Sequence, residues 1–349
     1  MQGGRPPGRR SWALTISLPG RRGPARRRWL AAALVLLLPA LALWAPRQWA
    51  GREPWPNRAG PPATAPLDYW VLEGPGREAA RDLCGPPGWP DPRRYGPFTE
   101  EEAPWAADPP DGLRELQAAH QASPFIAGFR ITFPEPLFDE AHNVGLAARK
   151  LAGHVVMPGE TFSLNRAAGP YTAARGYRMG PAYMGNRLVP AEGGGVCKIA
   201  STLYNVVLHS GLEVVQRHPH SMPVPYVPPG RDATVAWPAK DFRFRNNRDV
   251  PVVIWSQSDG HSLYVALYGR VDPPQVEWEH QVLSRQEPWT IRQPNDRLAP
   301  GEERVVLEGY PGMTVRTWLT IRHPGREPER RDLGIDTYLP MPRLIEYGP

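Results

Sequence analysis

The residues 191–212 read AEGGGVCKIASTLYNVVLHSGL, so three consecutive glycines lead into a cysteine, and a histidine pair follows shortly after in QRHPHS. A thiol attacks carbonyl carbon as its thiolate, and an unperturbed cysteine carries little thiolate at neutral pH. A helix N-terminus lowers that pKa through its unpaired N–H groups and the positive end of its dipole. Val196, Ala200, Leu203 and Val207 repeat at helical spacing and Gly211 suits a left-handed cap, which predicts a helix over 197–210 with Cys197 as its first residue. Lys198 adds positive potential beside the thiol. Gly193, Gly194 and Gly195 strip side chains from the approach, so a substrate carbonyl could reach backbone donors able to hold an oxyanion. Ser201 and Tyr204 continue a polar row down the helix from Cys197.

A nucleophilic cysteine needs a base. The predicted helix carries the chain about 21 Å from the thiol, and a turn at Gly211 with a strand through Arg217 returns it about 20 Å. His218 and His220 therefore arrive near Cys197, and strand alternation does not separate them, because both have the same parity. Asp232 and Asp241 are candidates to orient the imidazole, as a third group does in other acyl-transfer sites. Two other uses of these residues stand beside this one. Cys197 and the histidines suit zinc, although neither a second nearby cysteine nor an H-E-x-x-H pattern completes a site. Cys197 is otherwise a small buried residue, or one half of a disulfide with Cys84, the only other cysteine.

The elements that must position these groups begin late in the chain. Prolines number 45 in 349 residues and crowd the region before Pro136, which predicts an extended linker over 47–134. A helix is expected from Glu140 to Leu151, with Gly153 as its stop, followed by strand, turn and strand in HVVMPGETFSL. Residues 169–190 read as a structured loop or lid. LEVVQR, DATVAW and KDFRFR read as strands, and VPVVIWSQSDGHSLYVALYG as a hairpin about Asp259 and Gly260. The expected fold class is α+β, with the helix-start cysteine packed on a mainly antiparallel sheet over 135–270. A small all-β module follows over 271–349.

The formal net charge is +6, but its placement matters more. Residues 1–28 hold eight of the 41 Lys and Arg and no acid, leaving 33 basic against 35 acidic residues beyond. A nucleic-acid binder carries its basic footprint on its folded surface, so this distribution excludes that class. After the basic segment, Trp29 to Pro46 contains no charge in 18 residues, enough helix to span about 27 Å. It reads as a transmembrane helix with the N-terminus cytoplasmic and the bulk of the chain extracytoplasmic, and a cleaved signal peptide is the alternative.

From NVGLAARKLAGHVVMPGETFSLN through GPYTAARGY, EGGGVCKIASTLYNVVLHSGLEVVQRHPHSMPVPYVPPGRDATV and KDFRFRN, the sequence resembles the VanW family, named for an accessory gene of vancomycin-resistance clusters. The resemblance implies an anchored bacterial envelope protein. It implies His220 rather than His218 as the base, because the family histidine precedes serine upstream of the PYV tyrosine, and it aligns Asp232 with the DAT aspartate. It further implies a cysteine nucleophile of L,D-transpeptidase type acting on peptidoglycan, with no metal or other cofactor. Glutamine commonly follows the family cysteine, where this chain has Lys198. VVLEGYPGMTV and DTYLPMPRLIEYGP resemble the G-five domain associated with cell-wall binding or adhesion. A non-catalytic wall-binding or scaffold protein is the rival function, with Cys197 merely packed. Nothing in the residues sets an oligomeric state.

Overall fold

The computed structural model describes residues 90–184 and 187–349. The expected transmembrane helix over 29–46, the basic segment before it and Cys84 lie outside the described residues. Among those described, no helix is long and apolar enough to cross a membrane.

The central layer is a five-stranded antiparallel sheet with the spatial order Tyr95–Pro97, Phe125–Thr132, Ser262–Tyr268, Val252–Ser258, His154–Val156. Successive side chains point to opposite faces of such a sheet. Val252, Ile254, Val265 and Leu267 face one hydrophobic cluster, and Val253, Ala266 and Tyr268 face another. Helix α1 (Asp111–His120) and the segment carrying Phe98 and Trp105 cover the second face. The predicted linker over 47–134 is thus folded across its described part. Its prolines punctuate turns, while FIAGFRIT supplies a strand between two others.

On the first face lie α2 (Glu140–Leu151), the short α3 (Leu164–Ala168) and α4 (Cys197–His209). Along α4 the stripe Val196, Ala200, Leu203 and Val207 is buried, and each such aliphatic side chain contributes about 1.5–3 kcal/mol, less for alanine. Gly211 ends the helix at φ +70°, a conformation costly for residues with a Cβ. The hairpin about Asp259 and Gly260 forms as the sequence predicts. LEVVQR and KDFRFR pair in a smaller sheet as Glu213–Gln216 and Arg243–Arg245, together with Thr161–Ser163. DATVAW is not a strand, because side chains of α4 take up the backbone groups that a ladder would pair. The expected lid is mainly a two-stranded hairpin, Met179–Met184 with Arg187–Glu192.

Beyond residue 271 the chain forms two three-stranded sheets. One has the order Gln275–Gln286, Gly312–Arg322, Glu329–Tyr338, and the other Thr290–Pro294, Arg343–Tyr347, Glu303–Leu307, with one parallel pair. This β module packs against the rest. Leu319 and Ile321 enter the same core as α4, and Arg231 lies over the rings of Phe129 and Trp278.

Candidate functional site

The glycine turn before α4 is shaped by close approach. Gly193 and Gly195 hold φ of +70° and +94°, the left-handed region that glycine occupies without a Cβ clash. Gly194 sits so near Gly180 that a Cβ would come within 2.1 Å of its carbonyl carbon and oxygen. The Gly194 carbonyl accepts from Asn143 Nδ2 at 2.9 Å, and its N–H donates to Ala191 O at 3.0 Å. The Gly194 N–H is therefore occupied and unavailable to an oxyanion. Lys198 and Ile199 donate back to Gly195 and Val196. Among the described residues, the N–H groups of Gly195 and Cys197 donate to no backbone carbonyl outside the helix ladder.

The outward helix and returning strand bring His220 to Cys197. Its Nδ1 donates to Asp232 Oδ2 at 2.7 Å and its backbone N–H to the same oxygen at 2.6 Å. That leaves Nε2 free, and the imidazole is near enough to the thiol for each to shift the other's ionisation. Cys197 is half-buried, and its Sγ also lies 3.6 Å from Val235 O. Asp232 is fully buried.

The electrostatics follow from this chain of contacts. Burial raises the Cys197 thiol, but the hydrogen bond and charge of His220, aided by Lys198, hold it below its ordinary value. Burial alone would depress His220, yet Asp232 and the thiolate push it up to about 9. Burial likewise works against the Asp232 carboxylate, and His220 and Arg217 hold it down at about 2. Both shifts favour a thiolate–imidazolium pair over the neutral one, with the Asp232 carboxylate behind it.

His218 turns away, its Nε2 3.0 Å from Gln216 Nε2. Asp241 caps the α3 region, accepting from Ser163 Oγ at 2.6 Å and Asn165 N at 2.9 Å, so it does not orient the imidazole. Ser201 and Tyr204, expected as substrate contacts, are buried away from the cleft. Ser201 Oγ accepts from Ala233 N at 2.9 Å and lies 3.2 Å from Ala233 O, while Asn205 Nδ2 donates to Arg231 O at 2.8 Å. The polar row on α4 therefore clamps the segment that carries Asp232. Tyr204 packs against Phe242 and lies under the Arg217 guanidinium.

Lys198 forms an ion pair with Glu140, both almost buried, and its ammonium stands 4.8 Å from the Tyr226 ring centroid. The Glu140 carboxylate offsets part of the positive potential of Lys198, which still favours the Cys197 thiolate. Residue types alone give no pointer to Glu140. Sequence reasoning also misses Arg217, Tyr226 and Tyr338 as site residues, although Tyr226 is the tyrosine of the PYV motif.

All of this opens on a cleft of about 670 Å³. Cys197, His220 and Lys198 lie in its lining with Gly193, Gly194 and Gly195. Aromatic side chains, Phe133, Tyr171, Tyr183, Tyr226 and Trp237, supply much of the remaining wall, and the 179–192 hairpin forms one side. Among the described residues, no group of three His, Cys, Asp or Glu side chains is placed to share a metal ion.

A cysteine at a helix start, an imidazole against it and a buried aspartate behind that imidazole define a Cys-His-Asp site on an α+β domain. Residues 139–268 match the family model described as "VanW like protein", so this part of the chain is a VanW-like domain. It is 41% identical over 150 residues to "Uncharacterized protein YoaR" of Bacillus subtilis, covering 43% of this chain and 50% of that protein. It is 30% identical over 151 residues to "Vancomycin B-type resistance protein VanW" of Enterococcus faecalis, covering 42% of this chain and 54% of that protein. The chain thus spans about half the length of these curated relatives. Among solved structures, "IgA1 Protease G5 domain structure" aligns with 22% of this chain and 94% of that chain, at 25% identity and a TM-score of 0.15.

Proposed function

We propose that this chain is an anchored, extracytoplasmic envelope protein whose Cys197 performs acyl transfer on peptidoglycan stem peptides, an L,D-transpeptidase-type reaction. The observation that carries the reading is the placement of Cys197 and His220 at the wall of an open cleft with the buried Asp232 behind the imidazole. A packed structural cysteine needs neither the imidazole nor the access.

In this mechanism the Cys197 thiolate attacks the carbonyl joining the L-centre of a diamino acid to a terminal D-alanine. The N–H groups of Gly195 and Cys197 are the proposed donors to the developing oxyanion. Collapse of the tetrahedral intermediate breaks the C–N bond, and the imidazolium of His220 gives its proton to the departing D-alanine amine. A thioester remains. An amine from a neighbouring stem then attacks, His220 takes its proton, and the new amide forms as the thiolate leaves; water in place of the amine gives hydrolysis. Asp232 holds the tautomer throughout. The match of residues 139–268 to the VanW family model supports the envelope setting, and the apolar segment at 29–46 is the proposed anchor.

The test incubates the full-length protein, and its Cys197→Ala variant, with tetrapeptide muropeptides. The expected result is D-alanine release with tripeptide or cross-linked product from the native protein and none from the variant. Equal product from both removes Cys197 as the nucleophile. No product from the native protein on any stem supports a wall-binding or scaffold role instead.

A further inference from the structure

The carboxylate behind His220 is completed from a distant part of the chain. Tyr338, on the strand Glu329–Tyr338 of the β module, donates its hydroxyl proton to Asp232 Oδ1 at 2.5 Å. The Gly230 N–H donates to the same hydroxyl oxygen at 2.7 Å, which fixes the direction of the Tyr338 hydrogen bond. Two residues earlier, Asp336 accepts from Arg217 Nη1 at 2.5 Å. Arg217 turns its other nitrogens to Asp232, Nη2 to Oδ1 at 3.1 Å and Nε to the backbone oxygen at 2.7 Å. Arg217 and Asp336 expose only 10% and 11% of their side chains, and Asp232 none. The module meets the same region again where Leu339 N donates to Ser221 O at 2.7 Å, one residue from His220.

Ordering and desolvating charges at a junction is costly, and each charge there must find a partner to offset it. A module that served only to bind the wall has no need to place a tyrosine hydroxyl on the one carboxylate that orients the imidazole. We propose that the C-terminal β module is a working part of the cysteine site, in which Tyr338 and Asp336 are positioning residues that hold Asp232 and Arg217 behind His220. The proposal deepens the acyl-transfer reading and rests on it for its functional meaning.

The charged and titratable groups that bear on the outcome form a short series. Cys197 and Asp232 face His220 directly, and the Tyr226 ring edge packs against it. Lys198 stands beyond Cys197 with its charge taken by Glu140. Arg217, Tyr338 and Asp336 stand behind Asp232, with Tyr204 beneath the guanidinium. Asp336 is thus a negative charge that reaches the imidazolium and thiolate across Arg217 and Asp232. Removing a negative charge makes every nearby group easier to deprotonate. Removing the Tyr338 hydroxyl acts the other way, because Asp232 loses a donor and leans harder on the imidazolium.

The experiment uses the full-length protein and its Asp336→Asn, Asp336→Glu and Tyr338→Phe variants. Two readouts are followed against pH: alkylation of Cys197 by iodoacetamide, resolved by peptide mass spectrometry, and the carbon-13 resonance of the His220 ring, assigned by its loss in His220→Gln. In Asp336→Asn both titrations are expected to move to lower pH by about half a unit, and Asp336→Glu is expected to restore them. In Tyr338→Phe the His220 titration is expected to move to higher pH. A merely structural contact predicts a different signature, in which loosening lets the thiol rise and the imidazole fall toward their ordinary values in both variants. That pattern, or no movement in either variant, overturns the proposal. Should the native thiol titrate like a free one, the acyl-transfer reading fails, while the His220 resonance still reports whether the module is coupled to the site.

Discussion

Asp232→Asn is the most direct perturbation of the candidate site, because it removes one charge and keeps the shape. Folding lifts His220 from 6.5 to about 9, a rise that corresponds to roughly 3 kcal/mol in favour of the imidazolium. Burial opposes that rise, and the hydrogen bond to Asp232 is the first contribution that overcomes it. Loss of the carboxylate should therefore cost the imidazolium at least about 1.4 kcal/mol, a tenfold fall in the thiolate–imidazolium population where that pair competes with the neutral one. Alkylation of Cys197 by iodoacetamide at pH 7 should slow by about tenfold or more. Stability should respond as well. Breaking a buried pair costs about 3–5 kcal/mol when a partner is left uncompensated, and since Arg217 keeps Asp336 the expected loss lies near the lower figure. His220 has its pKa raised by folding, so its contribution is fully present below about pH 6.5, its unfolded value, and is lost as the pH climbs through about 9. The stability gap between the native protein and the Asp232→Asn variant, measured by urea unfolding, should accordingly narrow as the pH is taken up through that window. A folded variant that alkylates within twofold of the native rate would refute the assignment of Asp232 as the group behind the imidazole.

Two further outcomes follow from the packing of the cleft. Gly194→Ala would drive a Cβ to 2.1 Å from the Gly180 backbone, where no side chain can rotate aside, and should destabilise the protein by about 3 kcal/mol; an unchanged urea midpoint contradicts the close approach. Lys198→Met leaves the Glu140 carboxylate buried without its ion-pair partner and should cost about 3–5 kcal/mol, whereas the double variant Lys198→Met, Glu140→Leu should cost clearly less. Equal midpoints for the single and double variants would show that the pair does not carry its own desolvation.

Much of the site's near half is legible in the chain because it is built from local geometry. A helix beginning at Cys197 and a strand of similar length returning from Gly211 bring the following histidines back to the thiol by arithmetic alone. Choosing between His218 and His220 needs motif order, since both sit on the same face of an extended segment, and the structure pairs His220 with Asp232. Ser201 shows the limit of facial reasoning. It lies on the cysteine's side of α4 as the spacing predicts, but that side is covered by residues 231–233, so the row holds backbone instead of substrate. The proline-rich approach misleads in a related way. Proline content disfavours helix and central strand only at the prolines themselves, and FIAGFRIT between them pairs on both edges. Glu140 and the C-terminal module's residues carry no short-range signal, because 58 positions separate Glu140 from Lys198 and 106 separate Tyr338 from Asp232.

The arrangement of charge favours ionisation of a half-buried sulfur. Asp336, Arg217, Asp232, His220 and Cys197 follow one another with alternating sign, each touching only opposite neighbours along the row. In a medium of low effective dielectric such alternation offsets desolvation at every member, whereas any single deletion leaves two like charges facing across the gap or one charge unmatched. Of the row, Cys197 and His220 line the cleft. The other end is anchored in a strand of the β module, so a change in how that module seats is felt first at Asp232 and then, through the imidazole, at the atom that would do the chemistry.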